Sequence, residues 1–173
     1  MSSTDEAMEA LTAGTAELSL VLNAPVRDTI TTLEVFRDRM VAVFSPAHPL
    51  ARRKTISLRD LEGFSFALTE PSFGLRQQMD RVFARHGFRP TSFCVTNSLA
   101  LVKELASIGR QCTLLPRFVV QQELAAGSLK TAAVREFGSD PLVFCICSRS
   151  DRSLSPAAKV LMDTVADYCR RYR

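Results

Sequence analysis

Ser72, Phe73, Gly74 and Leu75 stand where an apolar, strand-like run gives way to helical periodicity, and none of them is charged. The first N–H groups of a helix lack intrahelical partners and carry the positive end of its dipole. Open N–H groups at Phe73, Gly74 and Leu75, helped by the Ser72 hydroxyl, would therefore cradle a carboxylate or a similar small anion. Glycine lets such a ligand approach the backbone closely. The plainer alternative is that Ser72 only caps its own helix. Asn97, Ser98 and Leu99 form a second helix start of the same kind, and two mouths facing one cleft would make a binding site.

Residues able to run covalent or acid–base chemistry are sparse. Of the two histidines, His48 lies in the proline-flanked turn "SPAHPLA" and His86 near a helix end, where a cation meets the negative end of the dipole. Both read as structural. The five cysteines, Cys94, Cys112, Cys145, Cys147 and Cys169, sit mostly in apolar runs and lack zinc-site spacing. They read as buried thiols of a reducing compartment; Cys145 and Cys147 alternate onto one strand face, so a redox pair is the less favoured alternative. The glycines form neither a phosphate loop nor a dinucleotide fingerprint. Asp5, Glu6, Glu9, Asp38, Asp60 and Glu62 fall in first turns or polar stretches, where solvated or capping roles suffice. The terminal "CRRYR" reads as a solvated helix end. No catalytic residue, metal or cofactor is expected, and the chain does not read as an enzyme.

The elements that must position the two mouths follow from periodicity. Thr4 reads as an N-cap, with Met8 and Leu11 on one helical face and Gly14 as the stop. Strands are expected at Leu18 to Leu22, Met40 to Phe44, Phe64 to Leu68, Ser92 to Thr96, Cys112 to Leu115, Leu129 to Val134 and Leu142 to Cys147, with an extended segment at Ile30 to Phe36. Leu75, Met79, Val82 and Phe83 recur on one face of a helix that Gly87 ends, while Arg76, Gln77, Arg81 and Arg85 take the other. Further helices fit Ser98 to Ile108, the stretch from Pro116 to Ala125, and a last one opened by Ser155 and Pro156. Strands alternating with helices argue for α/β architecture with a mostly parallel sheet, in which ligands collect at the carboxyl ends of the strands.

With 46% apolar and 23% charged residues, the 173-residue chain can bury a genuine core, as one domain or two small lobes. Its net charge of +4 comes from scattered residues and is a weak footprint for nucleic acid. No run approaches the ~20 apolar residues of a membrane helix, and no signal pattern opens the chain. A cytoplasmic protein without a membrane partner is expected.

Taken in series, "EALTAGTAELSLVL", "FRDRMVAVFSPAHPLA", "ISLRDLEGFSFAL", "SFGLRQQMDRVFARHGFRP", "VTNSLALVKELASIGRQCTLLP", "ELAAGSL" and "LSPAAKVLMDTVADY" resemble, in order and spacing, the effector-binding domain of LysR-type transcriptional regulators. The likeness spans about Thr4 to Tyr168. It implies the type 2 periplasmic-binding-protein fold: two Rossmann-like α/β lobes joined by two crossover strands, here Met40 to Phe44 and Leu142 to Cys147, with a small-molecule effector between the lobes. Residues 1–39 and 144–173 would form one lobe and residues 40–143 the other. The ligand-binding positions carried over by the resemblance are Thr4, Asn23, Ser72, Phe73, Gly74, Leu75, Asn97, Ser98 and Leu99. A homodimer or higher homo-oligomer is implied, with the helix Leu75 to His86 in its interface.

Three departures from the family pattern shape the expectation. Nothing corresponds to a helix-turn-helix, so DNA would be reached only through a DNA-binding domain absent from this chain. The family's opening strand–helix–strand unit has no counterpart before Thr4, so the first lobe is expected to be incomplete at its N-terminus, with an exposed strand edge. Gln111, where relatives often carry glycine, is expected to alter a turn and the pocket shape. The function expected is allosteric control of transcription by a small metabolite, most simply a carboxylate; the alternatives are a solute-binding receptor of the same fold or an enzyme built on it.

Overall fold

The structure is a computed structural model that describes residues 4–170. In chain order the elements are α1 (Thr4–Ala13), β1 (Ser19–Leu22), β2 (Ile30–Asp38), β3 (Met40–Phe44), β4 (Thr55–Ile56), β5 (Ser65–Thr69), α2 (Gly74–His86), β6 (Thr91–Thr96), α3 (Leu99–Ser107), β7 (Cys112–Pro116), α4 (Gln121–Ala126), β8 (Lys130–Val134), β9 (Leu142–Arg149) and α5 (Pro156–Arg170). Short 3₁₀ turns at Arg59–Leu61, Arg117–Val120 and Arg135–Phe137 join them. Two compact units result: Met1–Asp38 with Leu142–Arg173, and Arg39–Pro141.

Unit 1 is a three-stranded antiparallel sheet in the order β1-β9-β2. Alternation along β9 turns Cys145 and Cys147 to one face, where they pack with Val21, Ile30 and the Met8 and Leu11 of α1. Phe144 faces the other way and stacks on Phe36 with ring centroids 4.3 Å apart. Burial pushes both Cys145 and Cys147 thiols above their ordinary pKa, which disfavours the reactive thiolate. Ser155 caps α5, its Oγ accepting the Ala158 N–H at 3.2 Å, so Pro156 takes the first helical position. Of the terminal basic run, Arg171, Tyr172 and Arg173 lie outside the described residues, while Arg170 pairs with Asp167 at 2.9 Å.

Unit 2 is a six-stranded sheet in the order β4-β8-β3-β7-β5-β6. Its β5–β6, β5–β7 and β4–β8 ladders are parallel, but β3 runs antiparallel to both β7 and β8. The sheet is thus mixed where alternation of strands and helices predicts it mostly parallel. The reason is local: β3 follows β2 after a single intervening residue, with no crossover helix to impose a parallel return. β3 and β7 are buried at every position, as expected of central strands covered on both faces. On one face Ala67 packs with Val102 and Ala106 of α3, along with Val41, Val43 and Leu115. On the other, Phe66 meets Phe88 edge-on at 5.8 Å, Phe88 meets Phe83 of α2 at 5.1 Å, and Phe83 meets Phe137 at 6.2 Å. Each fully buried ring adds roughly 2–3 kcal/mol of apolar burial. Adjacent residues of β5 therefore hold α2 and α3 on opposite faces of the sheet.

Candidate functional site

The candidate site lies at the carboxyl edge of β5 and β6. The two strands end level, Thr69 opposite Thr96, and the Glu70 N–H donates to the Thr96 carbonyl at 3.2 Å. The chain then turns outward from β5 through α2 to reach β6, and back across β5 through α3 to reach β7. In open α/β sheets, strand ends where the connections leave in opposite directions are where ligands commonly bind. The mouths of α2 and α3 flank that edge.

At α2 the cap residue is Phe73 (φ −75°, ψ 129°), and no side chain caps the helix. The Phe73 N–H is already used, donating to the Glu70 carbonyl at 3.1 Å. The expected trio Phe73, Gly74 and Leu75 is therefore corrected by one position: the N–H groups without intrahelical acceptors belong to Gly74, Leu75 and Arg76. Ser72 does not cap; it lies in the preceding turn, exposed, with its hydroxyl unengaged. At α3, Ser98 is the cap, its Oγ accepting the Leu101 N–H at 3.2 Å. Its own N–H donates to Thr96 Oγ1 at 3.2 Å. The N–H groups of Leu99 and Ala100 remain open at this mouth, and the exposed Asn97 amide stands beside them.

Three further residues at this edge escape a periodicity-based reading. Arg76, assigned by spacing to the solvent face, has a side chain only 16% exposed. Its Nη1 donates to the Thr69 carbonyl at 2.7 Å, and its Nε meets Asp80 at 2.9 Å. A cation is thus fixed at the mouth of α2, partly offset by Asp80. Thr69 is 1% exposed, and its Oγ1 has no hydrogen-bond partner. Glu70, on the same loop, has a side chain that makes no ion pair, and its like charge opposes an anionic ligand. The proximity of Arg76 to β5 had no sequence signal, because it depends on the angle at which α2 leaves the strand. Thr69 could have been found as the polar residue that ends β5 directly after the apolar run Phe66 to Leu68.

The remaining expected ligand positions, Thr4 and Asn23, belong to unit 1. Thr4 opens the described part of α1; the residues before it, on which its expected role as a cap depends, lie outside the described residues. Asn23 has the left-handed backbone (φ 50°) that asparagine tolerates better than most residues. Its N–H donates to the Val143 carbonyl at 2.7 Å, and its Oδ1 accepts the Val143 N–H at 2.8 Å. The side chain thereby continues the β1–β9 ladder past the end of β1, so its oxygen is committed to the fold.

Other sequence candidates fall away from this edge. Gln111 immediately precedes β7, whose Cys112 lies level with Phe66 near the start of β5. That is the opposite edge from the mouths, so Gln111 does not alter the site; its Oε1 folds over Gly109 instead. His48 is on the same far side, since Phe44, the last residue of β3, pairs with Cys112. Its Nδ1 accepts the Leu50 N–H at 3.1 Å and its ring stacks on Phe44 at 4.8 Å. Burial holds its pKa below the ordinary histidine value, opposed by the neighbouring Arg110 carbonyl. Burial also pushes the Cys112 thiol up to about 12. Among the described residues, no group of three or more His, Cys, Asp or Glu is arranged to hold a metal ion. No helix there is long and apolar enough to cross a membrane.

Comparison with known proteins gives one consistent picture. The family model described as "LysR substrate binding domain" matches residues 1–170. The HTH-type transcriptional regulator CysL of Bacillus subtilis (strain 168) is 27% identical over 134 residues, covering 78% of this chain and 45% of that protein. The chain spans about half the length of the curated relatives it matches. Among solved structures, the effector binding domain of QuiR in complex with shikimate superposes with a TM-score of 0.78 at 21% identity, covering 99% of this chain and 79% of that one. The regulatory domain of Synechocystis PCC6803 CcmR in complex with 2-PG superposes at 0.83 and 17% identity, covering 96% and 80%. At these identities the superpositions establish a shared fold.

Proposed function

Because the chain belongs to the LysR substrate-binding domain family, with its two-lobed type 2 periplasmic-binding-protein fold, we propose that it is the effector-sensing part of a bacterial transcriptional regulator and takes a small carboxylate at the mouths of α2 and α3. Its family and relatives are regulators rather than enzymes. The observation that carries the reading is the pair of helix mouths on one sheet edge, where five N–H groups, from Gly74, Leu75, Arg76, Leu99 and Ala100, lack intrahelical acceptors. Helix N-termini of this kind favour anions through both the open donors and the dipole. The fixed guanidinium of Arg76 supports it, and the QuiR domain in complex with shikimate and the CcmR domain in complex with 2-PG are in keeping with it.

Regulation would be allosteric: an effector that binds two arrangements of the sensor unequally shifts their populations. The output would pass in the cytoplasm through a DNA-binding domain supplied elsewhere in the protein, with the sensor working as a homodimer or higher homo-oligomer. The outer edge of β6 supports self-association, since Phe93 and Val95 there are 47% and 49% exposed; sedimentation equilibrium giving a monomer at all concentrations would remove it. The family resemblance extends the proposed contacts to Thr4 and Asn23, which are tested separately.

A thermal-shift screen against small organic acids should yield a stabilising ligand. For that ligand, Ser72→Ala combined with Asn97→Ala should weaken calorimetric affinity by about tenfold. The ligand-free melting temperature should not move, because both side chains are exposed and neither caps a helix. Unaltered affinity in the double variant would take both residues out of the site.

A further inference from the structure

We infer that unit 1 carries a second small-ligand site, separate from the helix mouths of unit 2: a polar cavity where the end of α1 meets the loop from β9 to α5, suited to a small organic carboxylate. The cavity has a volume of about 330 Å³ and is lined by Gly14, Ala16, Glu17, Arg149, Arg152, Ser153 and Leu154. That volume lies at the lower end of the ~300–1,000 Å³ typical of small-molecule sites.

The two arginines have different roles. Arg149 is fixed: Nε and Nη2 pair with both carboxylate oxygens of Asp151, at 2.8 and 2.5 Å, and Nη1 donates to the Thr12 carbonyl at 2.7 Å. It closes the carbonyl end of α1, and Asp151 neutralises it. Arg152 has no hydrogen bond or ion pair and feels Asp151 only at a distance. Its guanidinium lies over Gly14, where an added Cβ would stand 3.0 Å from Nη1. Gly14 thus serves twice, through its positive φ of 73° as the helix stop and through the space it leaves for the arginine.

The rest of the wall fits a carboxylate with an apolar body. The Ser153 hydroxyl is unengaged and stands next in sequence to Arg152, so the two can donate together, the guanidinium through its paired N–H groups. Leu154 and Ala16 supply an apolar side. Glu17 has the wrong sign for an anion, but both its oxygens are occupied, by the Ser155 N–H at 2.8 Å and the Ser155 hydroxyl at 2.7 Å. The loop is also tied on its far side, where the Ser150 N–H and hydroxyl donate to the carbonyls of Thr29 and Asp28 at 3.0 and 3.2 Å. The loop that carries Arg152 and Ser153 is therefore anchored at both ends, so binding has only those two side chains to order.

The test is NMR titration of the ¹⁵N-labelled chain with isovalerate, and with inorganic phosphate as the comparison anion. Isovalerate should give saturable shifts at the amides of Gly14, Ala16 and Ser153. Arg152→Gln should abolish them, Arg152→Lys should retain them with several-fold weaker affinity, and Ser98→Ala at the mouth of α3 should leave them unchanged. The proposal is overturned by shifts that never saturate, by wild-type shifts in Arg152→Gln, by their loss in Ser98→Ala, or by phosphate binding as tightly as isovalerate. Arg152 is exposed, so its substitution leaves the core intact, and retained dispersion of the remaining resonances verifies folding in each variant.

Discussion

Two buried polar side chains of unit 2 make opposite demands on their surroundings. Thr69 holds an unpartnered hydroxyl at the edge where the helix mouths lie, and a buried hydroxyl left unpaired costs about 1–3 kcal/mol. Thr69→Val replaces it with a methyl of similar size. Urea unfolding should show the variant as stable as the parent or more stable by about 1 kcal/mol, while effector affinity falls about tenfold. A clear loss of stability instead would mean that the hydroxyl is bonded within the protein. His48 lies at the other edge, packed between Phe44 and Phe64, with Arg110 the nearby charge. Its folded pKa is depressed below the ordinary 6.5 by burial, so as pH falls the unfolded chain takes up the proton first. The stability it contributes is complete above its unfolded value and is lost as pH drops through the folded one. Carboxylates held low by their partners, such as Asp60 by Ser57 and Glu123 by Lys103, lose their contributions below their ordinary values of 3.8 and 4.5. The histidine window therefore stands apart. Unfolding free energy should fall as pH drops below the ordinary histidine value of 6.5 in the parent and fall less in His48→Phe, even though that variant starts lower through loss of the Leu50 N–H acceptor. Equal slopes would show that His48 is not the titrating group.

Elements are easiest to read where one local rule decides them. Met79, Val82 and Phe83 mark the buried face of α2 through spacing alone, and Gly87 ends it with φ 65° because glycine takes that conformation without a Cβ clash. Ser155 with Pro156 sets the start of α5 in the same way. What local rules miss is pairing direction and committed backbone groups. The reversal of β3 depends on where the chain enters unit 2, and the Phe73 N–H is lost to a turn that begins at Glu70, so the set of open N–H groups at α2 was legible to within one residue. Arg76 stayed hidden because helical periodicity says which side of α2 it occupies and not that the carbonyl end of β5 lies there. Asn23 shows the same limit at the end of β1. Its type fits a ligand contact equally well, yet its amide closes the ladder onto Val143. Asn23→Ala should therefore destabilise the ligand-free protein by about 1–2 kcal/mol in urea unfolding, through the lost hydrogen bond and a left-handed backbone that alanine tolerates poorly. Asn23→Gly, free of the backbone penalty, should lose less. Wild-type stability in both variants would deny the amide its structural part and leave ligand contact as its role.

At the scale of the whole molecule, a ligand that binds only the folded chain must raise its stability by mass action, and the size of the rise is fixed in advance. At a hundredfold excess over the dissociation constant the gain is about 2.7 kcal/mol. In a chain of this size 1 kcal/mol moves the melting temperature by roughly 2–4 °C, so a saturating effector should raise it by roughly 5–11 °C. The Ser72→Ala, Asn97→Ala pair, with affinity weakened about tenfold, should forfeit about 1.4 kcal/mol of that gain at the same ligand concentration. The chain also divides into two compact units, and a ligand protects from hydrogen exchange only the elements whose opening would release it. Exchange measured with and without effector should therefore slow first in β5, β6, α2 and α3, where the open N–H groups lie. Protection confined to those elements would leave Thr4 and Asn23 out of the site, because neither α1 nor the end of β1 would have gained from the ligand. Slowing in α1 and β1 alone, with the mouths of α2 and α3 unaffected, would refute the placement of the effector at those mouths, whatever the melting temperature does.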